Sequence, residues 1–180
     1  RWIVTINNFN ASFTNNRVLL AVTDAASAGV ISNTTVWTYF FFEHDLVSPA
    51  GDTDTFFDSP SLGVDANGLT IGGNLFDDTG VYLGTTVHVI RKSRALSGPG
   101  GDLVPSGDVV AFRNLTTAPD GTGPYAPQGV DDLHDAASTE SWIAGVDNAG
   151  FGALVFRSIA YSSTGAWPPT RWRTWSLASS

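Results

Sequence analysis

The tripeptide Gly63-Val64-Asp65 returns as Gly129-Val130-Asp131, 66 residues further along the chain. Self-similarity at a fixed period narrows the possible folds more than any local signal does. Three segments align around it. The first runs through Arg1 to Phe9, Asn16 to Asp24 and Trp37 to Glu43. The second runs through Ser61 to Asp65, Leu69 to Phe76, Thr86 to Leu96 and Val109 to Leu115. The third runs through Gln128 to Asp131, Ser141 to Asn148, Ala153 to Tyr161 and Arg171 to Leu177. A further copy, Gly145-Val146-Asp147, falls in a different strand of its unit and is set aside.

Each run is rich in Val, Ile, Thr, Phe and Trp and is bounded by Gly, Asn, Asp or Pro, the signature of strands and turns. Asn67-Gly68 predicts a type I′ hairpin turn, because Asn and Gly tolerate positive φ. Apolar and polar residues alternate through Val87 to Arg91 and through Ala153 to Arg157, and Arg91 and Arg157 occupy the same place after the apolar run. No apolar period of 3.6 is sustained anywhere, and Asp131 to Thr139 has room for one helical turn. Four hairpin-linked strands in tandem repeat predict an all-β fold. Its expected form is a partial β-propeller of about three four-stranded antiparallel blades. The blades span approximately 1–50, 56–116 and 124–178 of a single 1–180 unit. Long connections are expected at Ala25–Thr35, Asp77–Gly84 and Ser97–Asp108. A β-sandwich is the alternative, and it carries no sequence period. Closed propellers need about four blades or more. The first unit also lacks its opening strand, so a fragment of a larger ring, or an open stack with unusually apolar ends, is expected.

Hydrophobic residues make up 42% of the chain and charged residues 14%, which excludes a disordered polyelectrolyte. The longest mainly apolar stretch, Val36 to Phe42, is too short to cross a bilayer as a helix. The net charge of −8 is carried almost wholly by Asp, with two Glu (Glu43, Glu140) and one Lys (Lys92). Asp suits turns whereas Glu and Lys suit helices. Such a surface repels phosphate backbones and anionic lipid, so no nucleic-acid or membrane partner is expected. Arg91, Lys92 and Arg94 form one basic cluster, read as the solvated face of a strand. There is no Cys, hence no disulfide or thiolate chemistry. The scarcity of Lys and Glu beside abundant Asn, Thr, Ser and Gly suggests a location outside a bacterial cytoplasm. A chain without Met is expected to be a processed or truncated piece.

Phe57-Asp58-Ser59-Pro60-Ser61-Leu62-Gly63-Val64-Asp65, followed by Gly68 to Phe76, resembles a pattern in secreted bacterial β-propeller repeat proteins, sialidase-like or WD40-like and without known function. Arg1-Trp2, Asn16 to Asp24 and Trp37-Thr38-Tyr39 are similar to the preceding blade of that group. The resemblance implies a fold and no catalysis. Ser59 stands where an aromatic is commoner, and Ser32 to Thr38 lacks the Asp and Gly of a complete sialidase Asp-box.

Acid–base hydrolysis needs two carboxyl groups with separated pKa values. Asp58, Asp131 and Asp135 are the candidates for ligand contact, with Asp58 foremost because first-strand residues converge at a propeller axis. The plainer reading is that these acids cap turns. No catalytic residue and no metal ligand set is assigned. The Asp clusters at 52/54/58, 77/78 and 131/132/135 leave room for a structural Ca²⁺ but do not form an EF-hand loop. His44, His88 and His134 show no metal spacing, and His88 is expected on the polar face of its strand. Trp2, Trp37 and Trp142 are expected in the core, and Trp167, Trp172 and Trp175 on a last strand left bare where a neighbour should dock. The sequons at Asn10, Asn33 and Asn114 are read as accidental. The functional expectation is an extracytoplasmic, non-enzymatic binding or scaffold module. Its partners are the remaining blades of a parent protein and a glycan or protein ligand. A glycan-active hydrolase or lyase with carboxylates near the axis is the alternative.

Overall fold

In the computed structural model, residues 1–12, 16–117, 121, 123–149, 152–161, 167–169 and 171–177 are described, with the last run and residue 117 described by backbone alone. Three four-stranded sheets make up the fold, and none of them closes on itself. The first contains β1 (Ile3–Phe9), β2 (Asn16–Thr23) and β3 (Trp37–Glu43). The middle sheet contains β4 (Phe56–Val64), β5 (Gly68–Phe76), β6 (Tyr82–Arg91) and β8 (Val109–Thr117). A six-residue helix, α1 (Lys92–Ser97), and a two-residue strand, β7 (Gly101–Asp102), lie between β6 and β8. β7 crosses over to pair in parallel with β3 and completes the first sheet. The third sheet contains β9 (Pro124–Gly129), β10 (Glu140–Asp147), β11 (Leu154–Ala160) and β12 (Arg171–Leu177). The expectation of an all-β chain therefore holds.

The middle sheet is covered on both sides. Along β5 every residue from Gly68 to Leu75 is buried, and along β6 every residue from Gly84 to Ile90. One face packs Leu69, Ile71 and Ile90 against Val18, Leu20, Phe40 and Phe42 of the first sheet. The other packs Val87 and Val89 against Ile143 and Ile159 of the third. Each such fully buried side chain is worth about 1.5–3 kcal/mol. Val, Ile, Thr and Gly fill the centre of these strands, and the polar residues among them, Asn74 and His88, are buried with the rest, because the sheet has no solvent face there.

The repeated tripeptides meet at the crossing of β4 and β9. A Cβ on Gly63 would lie 2.4 Å from the backbone of Gly129, and one on Gly129 would lie 2.2 Å from the amide nitrogen of Gly63. The two strands run in the same direction there. The Ser61 hydroxyl donates to Gln128 at 2.8 Å, the Val64 N–H donates to the Asp131 carboxylate at 2.9 Å, and the Asp132 N–H donates to the Val64 carbonyl at 2.9 Å. Both strands also carry a bulge that opens on a left-handed residue followed by proline, Ser59-Pro60 (φ 53) and Ala126-Pro127 (φ 49). Proline is tolerated there because each is an edge strand and the bulge has already broken the ladder.

Several expectations are corrected. The run to Leu96 is not one strand. β6 ends at Arg91, and Lys92–Ser97, a string of good helix formers, turns into α1. The break is held because Arg91 and Arg94 both reach the buried Asp108, each at 3.3 Å, while Ala95 tucks into the core. The β4–β5 hairpin forms, but Asn67 and Gly68 are not left-handed. The Asp65 carboxylate instead accepts the N–H groups of Asn67 (2.7 Å) and Gly68 (2.8 Å), closing the turn with a side chain. His88 is fully buried, because its strand has no polar face. Trp2 is half exposed, at 50%. β12 lies where a last strand was expected, with the side chains of Trp172 and Trp175 outside the described residues.

Any side chain at Gly63 forces two backbones apart, and neither is the free end of a flexible group. Gly63→Val should lower unfolding free energy by about 3 kcal/mol or more, the upper range for overpacking. Urea denaturation followed by tryptophan fluorescence measures it; a loss under about 0.5 kcal/mol would refute the crossing.

Candidate functional site

Two clefts bring together polar groups distant in sequence. The first, of about 250 Å³, lies at the ends of β1 and β4 and just beyond β9, with Ile3, Leu62 and Val64 as its apolar floor and Arg1, Trp2 and Asp131 around it. Arg1 donates to the Thr23 carbonyl at 3.1 Å, and the Trp2 indole N–H donates to the Gly29 carbonyl at 2.6 Å, which fixes both against the first sheet. The Asp131 carboxylate is already engaged by the Val64 N–H. One cation, one engaged carboxylate and an indole can grip a ligand, but they supply no acid–base pair.

The second cleft, of about 550 Å³, lies between the middle and third sheets and is lined by Asn67, Arg91, Lys92, Tyr161 and Trp167. The Arg91 guanidinium stacks over the Trp167 ring at 5.4 Å, and the Lys92 ammonium donates to the Asp65 carbonyl. Behind them Ser141 bridges the buried Asp65 carboxylate and the Tyr161 hydroxyl, the latter at 2.9 Å. Burial, with the Asp65 charge beside it, pushes the Tyr161 phenol well above its ordinary value of 10, so it stays protonated as a donor. Sequence reading passed over this cleft. Arg91 and Lys92 looked like a solvated strand face, and the Asp65–Ser141 contact spans 76 residues with no local signal.

Asp58, Asp131 and Asp135 do not converge. Asp58 is half-buried near the start of β4, and no hydrogen bond or ion pair reaches its carboxylate among the described residues. Asp131 lies beside Val64 at the other end of that strand, six residues away. That is about 15–20 Å at the usual rise, beyond the separation of about 5–10 Å that glycosidase carboxyl pairs keep. Asp135 is exposed and accepts the Ala137 N–H of its own turn at 2.9 Å. Among the described residues no three His, Asp or Glu side chains group as a cation site. Asp52 is bound by Arg113 and by the Thr86 hydroxyl (2.7 Å), and Asp77 closes its turn onto Thr79 and Val81.

A second buried polar group lies between the first and middle sheets. His44, just after β3, and His88, on β6, meet at right angles with ring centroids 6.4 Å apart, and both pack on Phe57. His88 Nε2 bonds the His44 carbonyl at 3.3 Å, and His44 Nε2 bonds the Thr55 carbonyl at 3.2 Å. Both Nδ1 atoms are buried without a partner. Arg113 secures the same loop, donating to the carbonyls of Pro49 (2.7 Å), His44 (2.9 Å) and Val47 (2.9 Å) and pairing with Asp52. Desolvation lowers the pKa of both imidazoles. For His44, Asp45 and Asp52 pull the other way; for His88, His44 and Arg113 add to the depression.

The chain matches no protein-family model, no curated protein and no solved structure, and nothing in those comparisons identifies a propeller repeat family. None of the helices among the described residues is long and apolar enough to cross a membrane.

Two outcomes follow from this geometry. Folded-state pKa values below 6.5 mean that the unfolded chain takes up protons first as pH falls. Stability from the neutral His44–His88 pair is therefore complete above about pH 6.5 and lost below it, at up to about 1.4 kcal/mol per pH unit for each imidazole. Urea midpoints from pH 8 to 5 should show that fall, and His88→Phe should make it shallower; an unchanged slope would refute the assignment. Arg113→Ala leaves the nearly buried Asp52 with the Thr86 hydroxyl but no counter-charge, and should cost about 3–5 kcal/mol by the same assay.

Proposed function

We propose that this chain is a non-enzymatic binding or scaffold module of an extracytoplasmic protein, whose three sheets serve as blades of a larger propeller. The observation that carries this reading is the chemistry of the two ends of the stack. On the outward face of the first sheet, strand register lines up Val4, Ala21 and Tyr39 in one row and Ile6, Leu19 and Phe41 in the next. Val4, Ile6 and Tyr39 are exposed by 49%, 59% and 66%, and the face carries an apolar groove of about 280 Å³. A polar row, Asn8, Arg17 and Glu43, ends it, with Arg17 paired to Glu43 at 2.8 Å.

On the outward face of the third sheet Val146 pairs with Leu154 and Ala144 with Phe156 across β10 and β11, whereas Ser158, opposite Trp142, is fully buried. Leu154 is 49% exposed. Contiguous exposed apolar faces on a monomer mark interaction surfaces. These two have the residue types already packed on either side of the middle sheet, so more sheet is their natural cover. The extracytoplasmic placement draws on the composition, with its single Lys and two Glu. The binding role draws on the two clefts, which hold cations, aromatics and turn carboxylates but no acid pair.

Sedimentation velocity over a concentration series tests the reading. The 180-residue chain should self-associate through its end faces, and the double variant Ile6→Lys/Leu19→Lys should weaken that association by about tenfold or more while leaving circular dichroism unchanged. A chain that stays monomeric and binds no hydrophobic dye would overturn it.

A further inference from the structure

We infer that the outer edge of β1 is an acceptor for one more strand, and that its occupant is a partner segment of the left-handed-residue, Pro, Gly-Val-Asp type already present in β4 and β9. The inference rests on the stacked-sheet reading above and names the partner of its first sheet. In the middle and third sheets the edge strand belongs to that type, and β5 or β10 follows it antiparallel. The first sheet differs. β1 is its edge strand, yet β1 runs opposite to β4: the Asn7 amide donates to the Phe57 carbonyl at 2.9 Å, near the start of β4, while Ile3 lines the cleft with Val64 at its end. β1 thus has the direction of β5 and β10, the second strands, and among the described residues no first strand lies beside it.

Its hydrogen-bonding groups agree. From Ile3 to Asn8 every backbone bond of β1 goes to β2, and none reaches the opposite edge among the described residues. A run of unpaired N–H and C=O groups beside an apolar face is a template for strand addition. The incoming strand would run antiparallel to β1 and alongside β4, as β9 does on the other side. The close approach of β4 and β9 at Gly63 and Gly129 shows why glycine belongs where first strands pass one another. Backbone pairing supplies the affinity, and the small residue at the crossing supplies the selectivity.

The probe is a synthetic, fluorescently labelled peptide with the sequence of residues 56–65, added to the intact 180-residue chain. Saturable binding is expected, with slowed hydrogen exchange at the amides of residues 3–8. A peptide with tryptophan in place of the glycine should bind at least about tenfold more weakly. Absence of saturable binding, equal binding of the tryptophan peptide, or protection confined to the third sheet would each overturn the inference. So would β1 amides already protected in a dimer of the chain, which would make a second copy the occupant. A peptide that fails to bind a chain still self-associating through its end faces removes this inference alone; loss of self-association removes the module reading instead.

Discussion

The centre of the middle sheet, along β5 and β6, has no solvent face, and the rest of the structure follows from that constraint. A sheet buried on both sides must be written in Val, Ile, Leu and small residues, and must find two covers. β5 and β6 meet the first demand. The first sheet, through Phe40, Phe42 and Leu20, and the third, through Ile143 and Ile159, meet the second. Having spent one apolar face on the centre, the first sheet turns another outward at Val4, Ile6 and Tyr39, bounded by the polar row of Asn8, Arg17 and Glu43. The proposed role as a module of something larger rests on that exposed face.

The two junctions are built differently. Between the middle and third sheets the closest contact is backbone on backbone at Gly63 and Gly129, backed by the Val64–Asp131 hydrogen bond and the Asp65–Ser141–Tyr161 network. Between the first and middle sheets the junction is a set of rings, His44, His88, Phe57 and Phe42, with Arg113 gathering the carbonyls of the connecting loop. Neutral imidazoles there avoid the cost of a buried charge and leave two Nδ1 atoms unsatisfied. That makes the first junction sensitive to acid, whereas the second holds no buried histidine among the described residues.

Much of this was legible in the sequence. Strand character and hairpin order were visible because β-branched runs and turn residues act locally, whereas the Gly-Val-Asp copies, read as a repeat period, gave no sign that their glycines meet where β4 and β9 cross. What stayed hidden depended on contacts across sheets. Alternation around His88 reads as a half-exposed strand until a third layer covers it. Arg91-Lys92-Ser93-Arg94 reads as polar strand until Asp108 collects two of the arginines and turns the chain into α1. β7, two residues within a Gly-rich connection, has no propensity signal and exists because β3 offers it an edge. Of the acidic candidates, Asp131 is a tie between sheets, Asp135 a turn cap, and Asp58 a carboxylate with no partner among the described residues.

The layered order is tested most directly by native-state hydrogen exchange of the whole chain, resolved residue by residue. With the middle sheet closed on both faces, amides of β5 and β6 should exchange slowest, only through global unfolding, and those of β2 and β10 faster, through loss of one cover at a time. Equal protection in all three sheets, or faster exchange in β5 than in β2 and β10, would contradict a stack organised around a doubly buried centre.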